Sequence, residues 1–132
     1  MPEEPAARVG VLVVDDQEPF RRAMAAVVEE TEGFAVVGVA ATGEDSVAAV
    51  AELAPDLVLM DVNLPGIDGL EASRRIREQP RPPVVLLLST YDEDEFERAG
   101  CGAAGYISKA ALTPDRLRQA WQQAAAPGVS PG

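Results

Sequence analysis

Five side chains in this 132-residue sequence have the types and spacing of a reactive site: Asp15, Asp16, Asp61, Ser89 and Lys109. Each stands at the end of a short apolar run or just beyond it. A fold that sets those runs side by side would bring all five to one edge. Three carboxylates packed together repel, and without a cation at least one should hold its proton more tightly than usual. A divalent ion relieves the repulsion, and an all-oxygen donor set selects a hard one such as Mg²⁺. Lys109 offsets a further negative charge as a compact ammonium. A carboxylate nucleophile beside a metal, a lysine and a hydroxyl is the equipment for accepting a phosphoryl group, where positioning and charge neutralisation do most of the catalysis.

Taken singly, each residue has a plainer reading. Asp15 and Asp16 could cap the first helix, and Asp61 could open a turn made by Pro65, Gly66, Asp68 and Gly69. Ser89 and Lys109 are uninformative alone, and Tyr106 suits a half-buried core position. Cys101 reads as packing or a helix end, since nothing places it for chemistry. The joint placement at four strand ends favours the chemical reading.

The elements that must do the positioning alternate strictly. Apolar runs at Val9–Val14, Phe34–Ala40, 56–60, 84–88 and 106–107 read as strands buried on both faces. The first helix has Pro19 in its opening turn and Phe20, Met24, Val27 and Val28 at helical spacing. Thr42 caps the second, whose apolar face is Val47, Val50, Ala51 and Ala54 before Pro55 stops it. A third is expected from Gly69 to Glu78, ended by Pro80, Pro82 and Pro83. A short fourth is expected over 92–101. The last begins at Thr113-Pro114, with Leu112 and Leu117 forming a hydrophobic staple, and buries Leu117, Trp121 and Ala124.

Five strand–helix units imply an α/β fold: a five-stranded parallel sheet of order 2-1-3-4-5, flanked by five helices in three layers. Ligands collect at the carboxyl ends of the strands in such sheets. The domain is expected over 9–125, with a disordered arm at 1–8 and a flexible tail at 126–132.

Composition narrows the functions open to such a fold. A net charge of −11 argues against a nucleic-acid surface and against docking to an anionic membrane. With no histidine, the chain has no His-based triad, His metal site or phosphohistidine chemistry of its own. The single cysteine excludes an internal disulfide and suits a reducing compartment. The first residues lack the pattern of a signal peptide, and the apolar runs are too short to span a bilayer. A cytoplasmic protein is expected.

Over roughly residues 8–125 the chain resembles the receiver domains of two-component response regulators. The matching stretches are Val11-Leu-Val-Val-Asp-Asp16, Asp56-Leu-Val-Leu-Met-Asp-Val-Asn-Leu-Pro-Gly66, Leu86-Leu-Leu-Ser89 and Gly105-Tyr-Ile-Ser-Lys109. The resemblance implies that Asp61 accepts the phosphoryl group. It also implies that Asp16, Asp61 and the backbone carbonyl of Asn63 bind Mg²⁺, with Asp15 holding the ion through water. Ser89 would be the switch hydroxyl, Lys109 would contact a phosphoryl oxygen and Tyr106 would be the switch aromatic. The donor would be a histidine kinase or phosphotransfer protein. The output would be a protein target or dimer partner, met through the face of the fourth helix, fifth strand and last helix, rather than DNA or a membrane. Chemistry would be confined to self-catalysed phosphoryl acceptance and hydrolysis.

The sequence departs from the family in three places. Ala110 stands where proline usually follows the lysine, which puts the customary cis bond in question. The stretch between Ser89 and Gly105 is shorter than is typical and carries Gly100 and Gly102, which disfavour a regular helix. After the last helix no room remains for a DNA-binding domain, so the chain is either a stand-alone receiver or the receiver piece of a longer DNA-binding regulator. A phosphatase of the haloacid dehalogenase type would also use an aspartyl phosphate, but it expects Asp-x-Asp where this chain has the adjacent pair Asp15-Asp16. A pseudo-receiver that works without phosphorylation is disfavoured by the retention of all five site residues.

Overall fold

The computed structural model describes residues 8–89 and 104–125. The helix expected over 92–101, with Gly100, Cys101 and Gly102, lies outside them, as do the tail at 126–132 and nearly all of the arm at 1–8. The strands are β1 (Val9–Val14), β2 (Phe34–Ala40), β3 (Leu57–Asp61), β4 (Val84–Ser89) and β5 (Gly105–Ser108). The helices are α1 (Glu18–Glu30), α2 (Gly43–Leu53), α3 (Gly69–Arg77) and α4 (Pro114–Ala125), with a 3₁₀ turn at Lys109–Ala111. Of the five helices expected, four are therefore seen among the described residues. All five strands pair in parallel in the order β2-β1-β3-β4-β5.

Alternation along the strands divides the apolar residues between two cores. Leu12, Val14, Val58, Met60, Val85 and Leu87 pack with Val50, Ala72 and Ile76, from α2 and α3. Val11, Val13, Leu57, Leu59, Leu86 and Leu88 pack with Met24, Val28, Leu117 and Ala120, from α1 and α4. Leu112 and Trp121 join this second core, and Trp121 meets Phe34 edge to face at 6.3 Å. β2 is an outer strand of the sheet and leaves Val37 and Val39 exposed.

The caps follow from short polar side chains at the helix starts. Thr42 accepts the Asp45 N–H (3.0 Å), Asp68 the Glu71 N–H (2.9 Å) and Thr113 the Arg116 N–H (3.1 Å). α2 ends at Ala54, a non-glycine residue in the left-handed region (φ 50°), just before Pro55.

Three expectations need correction. The N-cap of α1 is Gln17, with no side-chain capping bond, so neither Asp15 nor Asp16 caps that helix. The buried stripe of α2 is Gly43, Ser46 and Val50; Ala51 and Ala54 are exposed. Ser46 tolerates burial because its hydroxyl donates to the Gly43 carbonyl at 2.6 Å. Phe20 belongs to neither core and is 40% exposed, whereas Met24, one turn on, is 3% exposed.

Candidate functional site

Where β1 and β3 end, alternation leaves Asp15 on the side of Val11 and Val13, and Asp61 on the side of Leu57 and Leu59. Both are buried, Asp15 completely and Asp61 at 3% exposure, while Asp16 is exposed. Carboxylate oxygens of Asp15, Asp16 and Asp61 lie within 4.8 Å of one another. Lys109, held in the 3₁₀ turn after β5, reaches back between two of them. Its Nζ lies 2.9 Å from Asp15 Oδ2 and 3.4 Å from Asp61 Oδ2. The Ser108 hydroxyl accepts the Ala110 N–H (3.3 Å) and shapes that turn. The described peptide bonds are all trans, that between Lys109 and Ala110 included.

Backbone donors fix the carboxylates from the other side. Asp15 Oδ1 accepts the Gln17 N–H (2.9 Å), and Asp61 Oδ1 accepts the Asn63 N–H (3.1 Å). Asp15 Oδ2 is sealed from solvent with no aligned hydrogen bond, so it depends on the ammonium for compensation. Burial pushes the Asp61 carboxyl above its ordinary range, and Asp15 repulsion adds to this; the Asn63 N–H and Lys109 oppose it. The expected rise is therefore present, with burial rather than mutual repulsion as its leading cause.

The crevice is about 220 Å³ and is lined by Asp16, Gln17, Phe20, Asp61, Asn63 and Lys109. Gln17 and Phe20 were not anticipated there. The signal for both was their place in the first turn after Asp16, at the carboxyl edge of the sheet. Ser89, 3% exposed, ends β4 one residue beyond Leu88, the partner of Asp61. In the next pair of the sheet it is in register with Ser108 of β5. Tyr106 pairs with Leu87 and packs half-buried against the core of Val85 and Leu87. Asp15, Asp16, Asp61, Asn63 and Lys109 thus gather at the crevice, with Ser89 at the end of the adjoining strand β4 and Tyr106 on β5 beyond it.

Behind Asp61 the chain is tightly closed. Gly69 opens α3, and its N–H donates to the Val62 carbonyl (2.9 Å). A Cβ on Gly69 would collide with the Asp61 carbonyl oxygen and come within 2.8 Å of Val62 Cα. Gly69→Ala is therefore expected to cost about 1–3 kcal/mol in denaturant melts by overpacking, while shifting Asp61 itself. A melt like that of the wild type would mean that the junction yields freely.

This order of sheet, with an acidic cluster and a lysine at the strand ends, is the architecture of response regulator receivers, and the chain belongs to that family. The response regulator receiver domain family matches residues 11–122. Response regulator GacA of Pseudomonas aeruginosa is 45% identical over 106 residues, covering 78% of this chain and 49% of that protein. Response regulator UvrY of Escherichia coli is 40% identical over 105 residues, covering 78% and 48%. A two-component response regulator of the LuxR family from Aurantimonas superposes with a TM-score of 0.81 at 31% identity, covering 90% of this chain and 86% of that one. The chain spans about half the length of the curated relatives it matches. Among the described residues, no helix is long and apolar enough to cross a membrane.

Proposed function

We propose that the chain is a phosphorylation switch that accepts a phosphoryl group on Asp61 from a histidine kinase or phosphotransfer protein. The observation that carries this reading is the state of Asp61. It is buried, oriented by the Asn63 N–H, flanked by Lys109 at 3.4 Å and set among two further carboxylates. An Asp61 oxygen attacks phosphorus while the bond to the donor nitrogen breaks, leaving an acyl phosphate on Asp61, and the departing imidazole nitrogen takes up a proton from solvent. Lys109 balances the negative charge carried in on the phosphoryl oxygens. Hydrolysis by water later returns the carboxylate and releases inorganic phosphate.

The donor set fits a hard divalent ion, being oxygen throughout. Asp16, Asp61 and the carbonyl of Asn63 would hold Mg²⁺. Asp15, wholly buried and committed to Lys109, would act on it through water. Bound there, Mg²⁺ supplies positive charge against the phosphoryl oxygens. Ser89 and Tyr106 form the reporting pair: the Ser89 hydroxyl moves toward the phosphoryl group and Tyr106 takes up the space it leaves. Their place on paired strands supports this coupling, and the response is read by a protein partner at the fifth strand and last helix. The half-length match keeps a second reading in view, a receiver carried in a longer DNA-binding regulator; the downstream reading frame decides between them.

A small-molecule phosphodonor is expected to add the mass of one phosphoryl group in Mg²⁺ and none in chelator. Asp16→Asn should need about tenfold or more Mg²⁺ for the same phosphorylation and lose most of the Mg²⁺-induced rise in melting temperature. An undiminished Mg²⁺ response in this variant would remove Asp16 from the ligand set.

A further inference from the structure

We propose that Phe20 is a positioning residue for Lys109, its ring holding the ammonium at the mouth of the crevice. Lys109 Nζ lies 4.1 Å from the Phe20 ring centroid, within cation–π range. Asp15 and Asp61 engage the ammonium from the floor, and the ring covers it from the α1 side. The lysine side chain is left only 10% exposed. Phe20 itself forgoes the burial that would ordinarily place a phenyl ring, being 40% exposed and in neither core. Its position makes sense through Lys109.

The ring is held where it is needed. Pro19 constrains the first turn of α1, and Arg21 Nη1 donates to the Asp15 carbonyl (2.8 Å), tying that turn to the end of β1. A ring face attracts a cation without a directional bond. The ammonium can therefore turn from Asp15 toward an incoming phosphoryl oxygen without leaving the ring or swinging into water. A directional partner in this place would resist that turn. This inference rests on the reading of Lys109 as the phosphoryl contact.

The test compares Phe20→Leu, which keeps apolar bulk without a ring, with Phe20→Tyr, which keeps the ring, both in the full chain. The Lys109 ε-methylene protons should show an upfield ring-current shift by NMR in wild type and Phe20→Tyr, and lose it in Phe20→Leu. With saturating Mg²⁺, Phe20→Leu should accept a phosphoryl group from the small donor about two- to tenfold more slowly. Phe20→Tyr should stay near wild type, and the Mg²⁺ affinity of both variants, read by thermal titration, should be unchanged. A Phe20→Leu protein with the wild-type shift and rate would overturn the proposal. So would a rate loss matched by a loss of Mg²⁺ affinity, which would mark the ring as general support for the crevice. Were wild type itself inert to phosphodonors, the functional reading would fail, while the ring-current shift would still report the placement of Lys109.

Discussion

Asp61→Asn is expected to abolish phosphoryl acceptance while making the metal-free protein more stable. The two effects share one cause. Burial penalises charge at Asp61, and its carboxyl is pushed upward as a result. A group bound more tightly to its proton in the folded than in the unfolded chain favours folding when protonated. Its contribution is full below the unfolded value near 3.8 and is lost as pH rises through the raised folded value. Asparagine keeps an oxygen for the Asn63 N–H and carries no charge, so the loss does not occur. Above that window the variant should melt higher than wild type in chelator, and the gap should close as the pH falls through it. Addition of Mg²⁺ should reverse the order, because the ion restores the wild type alone. Mass spectrometry after treatment with a phosphodonor should show no adduct. A full adduct in the variant would overturn the assignment of Asp61.

The second large effect is expected at Lys109. Its ammonium is the compensating cation for Asp15 Oδ2, which has no aligned hydrogen bond, and it also attracts Asp61. Lys109→Met preserves the length of the stem and removes the charge, leaving two buried carboxylates facing each other. Breaking a buried pair from one side costs about 3–5 kcal/mol, so at neutral pH in chelator the variant should be severely destabilised. Mg²⁺ or mild acid should each recover part of the loss, one by supplying charge and the other by protonating a carboxylate. Denaturant unfolding under these three conditions measures the effect. A variant as stable as wild type in chelator would show that Asp15 and Asp61 do not depend on the lysine. The recovered fold should still accept phosphoryl groups far more slowly.

The sheet order and the strand-end residues were legible because both follow from strong patterns. Continuous apolar runs divided by Pro and Gly mark the strands, and alternation of strand and helix leaves few topologies. The caps at Thr42 and Thr113 were legible for a local reason, since a hydroxyl three residues before a free N–H needs no tertiary context. Ser46 was missed because hydropathy weighs the hydroxyl against burial, while its bond to Gly43 cancels that cost within one turn of helix. Phe20 was misread because periodicity assigns a helix face but not what faces it: in the first turn of α1 the neighbour is the Lys109 ammonium. Which face each strand-end side chain takes depends on strand parity at the chain's exact pairing register. A one-residue ambiguity in a strand boundary hides it.

The outer strand β2, with Val37 and Val39 bare on its surface, has a colloidal consequence. Among the described residues no strand pairs with the outer side of β2, and such an edge carrying apolar side chains is a template for strands of other molecules that like charge opposes. That barrier is a net charge of −11 at neutral pH, and it vanishes near pH 4.3. Acidification should therefore bring turbidity and intermolecular β-structure close to the pH at which carboxylates begin to protonate. Replacing Val39 by lysine should delay both by interrupting the edge, since a charged side chain there remains ionised throughout.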